Sequence, residues 1–95
     1  MDNQYQKIKG YRDLSQEEID LINEIKEHAE KTDKLIRTVH ALRKRQKKAI
    51  INASAPISVS EDQVKESFRC LDIAKTSLQQ GQMWFVRAVA LPNSF

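Results

Sequence analysis

The sequence predicts an all-α fold class: a long antiparallel helical hairpin with a short basic N-terminal arm, assembling into a helical homo-oligomer. Three observations predict it. Only 2 glycines and 2 prolines occur in 95 residues, too few turn punctuators for a sheet protein of this size. Two capping boxes, Ser15 with Glu18 and Ser60 with Gln63, mark two helix starts. After each start the apolar residues recur at helical spacing along one face. The balance of 40% hydrophobic and 31% charged residues is that of a folded chain rather than a disordered tail.

Taken in order, residues 1–14 form the arm, with Tyr5, Lys7, Lys9, Gly10, Tyr11 and Arg12 showing no sustained period. At Ser15 the hydroxyl can accept from the amide three residues on while Glu18 reaches back, and Leu14 and Ile19 stand at the hydrophobic-staple positions. Leu21, Ile22, Ile25, Ala29, Leu35, Ile36, Val39 and Leu42 then lie on one stripe, uninterrupted by Gly or Pro. This predicts a helix over 16–51, on the order of 50 Å long at ~1.5 Å per residue. Residues 52–60 are small and polar and include Pro56, which lacks an amide hydrogen and pushes its predecessor out of the α region, so they form the loop. Val59 and Val64 staple the second start. A helix over 61–91 carries Val64, Phe68, Leu71, Ala74, Leu78, Phe85, Val86 and Val89 until Pro92 stops it. Residues 1–95 thus make a single helical domain.

A chain this short has a marginal core and leans on a disulfide, a metal or a partner subunit. Cys70 is the single cysteine, so no intrachain disulfide forms. With His28 and His40 it falls short of the ligands a structural metal needs, and no cofactor is expected. A partner remains. Two helices each offer an apolar stripe ~100° wide or more, of which one neighbour covers only part. Met83, Trp84 and Phe85 are consecutive and point in different directions around their helix, which a lone hairpin cannot bury together. No apolar run approaches the ~20 residues that span a bilayer, and MDNQYQKIKG has neither the apolar core nor the cleavage site of a signal peptide, so a cytoplasmic location is expected.

Charge is sorted along the first helix. Residues 16–33 sum to −5 and residues 34–48 to +7, the latter with no acid. The basic end lies where cations favour the helix dipole. Arg43, Lys44, Arg45, Lys47 and Lys48 could hold phosphates by Coulomb attraction and counterion release, or could be a solvated helix end; as near-consecutive residues they fan around the helix. With a turn near Ala55, residues whose numbers sum to about 111 face each other, bringing His40 close to Cys70. A Cys–His pair can form a thiolate nucleophile, but no third group orients the imidazole, and a free Cys is more often a small core residue. The carboxylates between Glu17 and Asp33 have no pocket-forming element beside them. The sequence argues against an enzyme, and any concave site is expected between subunits.

One set of residues is more specific. Ile8-Lys9-Gly10-Tyr11-Arg12-Asp13-Leu14-Ser15, Ile22-Asn23-Glu24-Ile25-Lys26, Arg69, Lys75-Thr76-Ser77-Leu78-Gln79, Met83 and Val86-Arg87-Ala88-Val89-Ala90 resemble the phage anti-CBASS cyclic-oligonucleotide sponges. Those proteins sequester the second messengers of a bacterial immune system without cleaving them. The resemblance covers both ends of the chain, whereas residues 35–63 carry little of it. It implies a homohexamer, a trimer of dimers, in the cytoplasm of the infected bacterial host. Cyclic dinucleotides would bind in pockets between protomers and cyclic trinucleotides in separate pockets on the three-fold axis, with no membrane and no polymeric nucleic acid as partner. By motif match Tyr11 stacks on a base and Lys26 pairs with a phosphate in the dinucleotide site, while Arg69 holds phosphate in the trinucleotide site. His28 stands where relatives carry a small hydroxyl residue near the trinucleotide phosphates, which implies a different pocket shape and pH response there. Ala74 and Gln82 replace a glycine and an aromatic of the family pattern.

The residue types suit this chemistry. A cyclic dinucleotide presents two flat bases and two phosphates, so an aromatic face and a fixed cation, repeated by two-fold symmetry, match it. Three Arg69 guanidinium groups match three phosphates, each donating two hydrogen bonds. Lys26 faces Phe85 and Arg69 faces Leu42, levels roughly 24 Å apart along the helix, so one small ligand cannot touch both within a protomer. Blander roles exist: a solvated salt-bridge lysine for Lys26, a plug holding the arm for Tyr11, and a surface arginine for Arg69. A rival function is a small helical nucleic-acid- or partner-binding protein using Arg43 to Lys48.

Overall fold

A computed structural model describes residues 12–53 and 58–93. The first eleven residues of the arm, Tyr11 among them, and loop residues 54–57 lie outside the described residues. Two helices account for most of the rest: α1, Gln16–Asn52 (37 residues), and α2, Glu61–Ala90 (30 residues). They run antiparallel as an extended hairpin, and among the described residues there is no strand.

Each helix starts where its side chains satisfy backbone donors that would otherwise be orphaned. Ser15 Oγ accepts from the Glu18 amide at 3.1 Å, and Glu18 Oε1 accepts from the Ser15 amide at 2.8 Å. The same reciprocal pair recurs at Ser60 and Gln63, at 3.1 and 2.9 Å. Glu17 and Glu18 in the first turn of α1, and Glu61 and Asp62 in that of α2, set negative charge against the positive ends of the helix dipoles. Both helices end on a residue in the left-handed region, Ala53 (φ 48°) and Leu91 (φ 42°). Neither is glycine, so each end carries a steric cost on the order of 1 kcal/mol. In return the Ala53 amide donates to the Ala49 and Ile50 carbonyls and the Leu91 amide to that of Arg87.

Between the helices runs a seam rather than a core. Only Ile25 and Val64 are buried among the described hydrophobic residues, Val64 to 1% exposure. Val64 is the second staple position, so the strongest packing lies beside the α2 cap. The molecule measures 60 × 23 × 17 Å. Its accessible surface is 7916 Å², against roughly 5600 Å² for a compact monomer of its 11.0 kDa mass. Large apolar side chains are among the residues left open: Met83 and Trp84 are each 71% exposed, and Leu35, Ile51, Phe85 and Leu91 are also exposed. The stripes predicted on both helices exist, and one hairpin covers only their edges.

The open end of the hairpin is closed by Arg12. Its guanidinium donates to both Glu18 carboxylate oxygens, at 3.2 and 2.5 Å, and to the Val89 and Leu91 carbonyls at 3.1 and 3.2 Å. One side chain therefore neutralises the capping-box acid of α1 and caps the free carbonyls at the end of α2. Sequence reading assigned Arg12 only to a basic arm. Its carbonyl acceptors are 77 and 79 residues away, and no local pattern announces them. The Arg12 guanidinium and the Ser15 amide hold the Glu18 carboxyl far below its ordinary range, at about 2.

Ser15→Ala and Ser60→Ala are each expected to cost about 1 kcal/mol in equilibrium denaturation at matched protein concentration. The depressed Glu18 carboxyl stabilises the fold above the ordinary carboxylate range, and this contribution is lost as pH falls from about 4.5 toward 2. Glu18→Gln keeps an acceptor for the Ser15 amide but abolishes the charge. Its stability deficit relative to the native chain should be present at pH 6 and shrink toward pH 2 in paired denaturation curves.

Candidate functional site

Residues of α1 and α2 together line a groove of about 1150 Å³. Leu21, Ile25 and Ala29 form its α1 floor, and Leu78, Phe85 and Val89 its α2 wall. Lys26 and His28 both line it. They are two residues apart on α1 and point in different directions, yet the opening is wide enough to take in both. Phe85, expected to face Lys26, lines the same groove. Lys75 adds a second cation from α2, while Glu24, Glu30 and Asp33 bring three carboxylates. With imidazole neutral, the groove of one chain carries net −1, the wrong sign for an anion. Asp33 is partly offset by Arg37 at 3.0 Å. No ion pair holds Lys26 among the described residues, so it is not the i,i+4 salt-bridge lysine that its acidic neighbours suggest.

Arg69 lies elsewhere. It is exposed on α2 and grips Glu66 through Nε to Oε2 at 3.0 Å and Nη2 to Oε1 at 2.6 Å. The pairing holds the Glu66 carboxyl below its ordinary range and raises that of the guanidinium. A guanidinium has five N–H donors, so three remain for another acceptor. By the helix register that sets His40 against Phe68, Arg69 and His28 are roughly 17 Å apart along the hairpin. One protomer therefore does not bring these two together around a small ligand. Tyr11 belongs to the residues not described, although its neighbour Arg12 is anchored across the end of both helices.

Three expectations need correction. His40 meets Phe68, not Cys70: the ring centroids are 5.1 Å apart and tilted by 52°. The facing numbers sum to 108 rather than 111, a shift of nearly one helical turn that carries Cys70 past His40. Nor is Cys70 a small core residue, since it is exposed and its thiol lies 3.6 Å from Glu66 Oε1. The basic run also does not simply fan out. Arg43 turns inward to Ser67 Oγ at 3.0 Å and Gln46 Oε1 at 2.7 Å, whereas Lys44, Lys47 and Lys48 share a second groove with His40. Residues at offsets of three and four lie on one helical face, which a count of consecutive bases hides.

The model of the Acb2/Tad1 hairpin domain matches residues 6–90. The chain belongs to that family. A curated relative, anti-CBASS protein 2 of Pseudomonas phage JBD67, is 36% identical over 106 aligned positions, covering 98% of each chain. The match runs through both helices and the connection between them, so the family hairpin includes the middle segment where the motif resemblance is weakest. Lys26, His28 and Arg69 all fall within the matched span. Among the described residues no helix is long and apolar enough to cross a membrane.

Replacing Glu66 by Gln should leave Arg69 free of its intrahelical carboxylate. Affinity for a phosphate-bearing probe such as pyrophosphate is expected to rise a few-fold in titration calorimetry relative to the native chain, and the added Arg69→Gln change is expected to abolish the gain.

Proposed function

We propose that this chain is a phage immune-evasion protein that binds and sequesters the cyclic di- and trinucleotide second messengers of bacterial CBASS immunity without cleaving them, in the cytoplasm of the infected host. The observation that carries this reading is the end-to-end similarity to anti-CBASS protein 2, 36% identity with 98% of both chains covered. Sequestration needs only stoichiometric capture. It lowers free messenger below what an effector requires, and retention follows from a slow off-rate.

The same reading includes a homohexamer arranged as a trimer of dimers. Supporting it is the surface left open on one hairpin, about 2300 Å² more than a compact monomer would expose, with Met83, Trp84 and Phe85 among the exposed side chains. Electrostatics point the same way. A groove with net −1 does not attract a cyclic dinucleotide, so a second copy must supply further cations or cover the acids when Lys26 meets a phosphate. Tyr11 is assigned the stacked base. Arg69 and His28 are assigned the trinucleotide site, and their separation within one protomer requires that they come from different copies. The pocket is thus made by assembly, and ligand binding and assembly stabilise each other.

Native mass spectrometry of the purified chain with a mixture of cyclic di- and trinucleotides tests the reading. A hexamer carrying three intact dinucleotides and two intact trinucleotides is expected; a ligand-free dimer or hydrolysed nucleotide would overturn it. Tyr11→Ala is expected to weaken dinucleotide capture at least ten-fold and leave trinucleotide capture unchanged, the scale of one lost base stack. Equal loss of both would refute two separate sites. The thermal midpoint should also rise with protein concentration, as for any fold completed by its partners.

A further inference from the structure

Past Lys34, α1 bears seven bases including Lys34 and no acid up to Asn52. His40, Lys44, Lys47 and Lys48 stand at offsets of zero, four, seven and eight, one continuous face of the helix. They line a groove of about 440 Å³ whose α2 side is Phe68 and Asp72, with Ile51 closing its far end. The volume falls in the range of small-molecule pockets. Among the described residues the three lysines form no ion pair, in contrast to Arg12, Arg37, Lys65 and Arg69. Asp72 is the one carboxylate on the groove, so three ammonium groups meet a single negative charge. Arg43, at the edge of the same face, does not line the groove: its guanidinium is engaged by Ser67 of α2 and by Gln46 of its own helix.

At the head of the lysine row, the exposed His40 ring is steadied by the half-buried Phe68 ring, 5.1 Å away. A ring held from behind by a second ring keeps its orientation without a ligand, which suits it to receive a flat base. Directly below it the lysines offer mobile, non-directional cations, which suit phosphate oxygens rather than a planar carboxylate. Base-receiving ring and phosphate-receiving cations together match one chemistry, a phosphodiester with an unpaired base. The groove is also remote from Lys26: eighteen residues of helix separate Lys26 from Lys44, roughly 27 Å. Arg69 follows Phe68 in sequence but lies about 100° around α2 and is engaged by Glu66.

We propose that this groove is a further nucleotide-binding site, independent of the Lys26 groove, in which His40 on Phe68 stacks a base and Lys44, Lys47 and Lys48 hold phosphates. Two sources offer the chemistry, a segment of single-stranded nucleic acid and a short free nucleotide. It goes beyond messenger sequestration and does not rest on it, since no residue of the groove is assigned to the cyclic di- or trinucleotide sites.

Fluorescence anisotropy with a labelled eight-residue oligothymidylate, on the full chain over a range of salt concentrations, tests it. Three neutralised phosphates give a slope of log affinity on log salt of about −2 for a single strand. The triple variant Lys44→Gln, Lys47→Gln, Lys48→Gln is expected to bind at least ten-fold more weakly with most of that slope lost. His40→Ala should weaken binding with the slope intact, because the lysines remain. Lys26→Ala should bind like the native chain, which separates this site from the groove near the hairpin's open end. Competition by thymidine mononucleotide at micromolar concentration assigns the site to free nucleotides, and its absence to strands. All three lysines are exposed, and circular dichroism checks that the triple variant keeps its helices. Undiminished binding by that variant, or no binding of either probe by the native chain, overturns the proposal.

Discussion

An α-helix carries its apolar residues on a stripe about 100° wide, and a single antiparallel neighbour covers only a narrow seam of it. Every large feature of this molecule follows from that geometry. Of the apolar residues on two long helices, Ile25 and Val64 are buried among the described residues, while Met83, Trp84 and Phe85 are exposed. Hydrophobic burial at about 25 cal/mol per Å² is the main force available to a chain that has no disulfide and few bonds across its seam. A hairpin that forgoes so much of it keeps a long apolar surface open along both helices. The proposed homohexamer would cover that surface with the matching surface of another copy.

Polar contacts then fix how the seam is held. At one end Arg12 joins the start of α1 to the finish of α2, satisfying a carboxylate and two carbonyls with one planar group. Further along, Arg43 crosses to Ser67, and His40 rests on Phe68. These contacts are spaced along the hairpin and leave apolar strips between them. Arginine fills both cross-helix roles because its fork can meet acceptors in several directions at once, which a lysine ammonium on a flexible stem does less well. Most of the described lysines are left to solvent, Lys65 with its Glu61 partner being an exception. This division explains why Lys26, Lys44, Lys47 and Lys48 have no ion pair among the described residues while Arg12 is bound on every side.

Much of the site is readable in the residues but not its grouping. The motif containing Lys26 and the position of Arg69 are visible in the string, and their separation along the hairpin follows from helical rise alone. That Lys26 and His28 share one groove was not visible, because it depends on how α1 and α2 pack beside Ala29 and Leu78. The row of lysines below His40 was hidden for a similar reason. Five bases in six positions look like a fan until one of them, Arg43, is drawn inward by Ser67 and the rest are sorted by face. The Cys70 assignment failed on a small error, a hairpin register off by three, which is enough to rotate a residue most of a turn away from its supposed partner.

By itself the sequence determined the secondary structure and its punctuation. Capping boxes, staples, the apolar repeat and the scarcity of glycine and proline are local signals, and local hydrogen bonding and sterics decide where a helix starts and stops. The tertiary structure alone decided which side chains meet across the seam: Arg12 with the carbonyls of Val89 and Leu91, His40 with Phe68, and the lysines with an open groove. Those pairings depend on register and on the angle between two long rods. Small changes in either, accumulated over a molecule 60 Å long, move a side chain from one partner to the next.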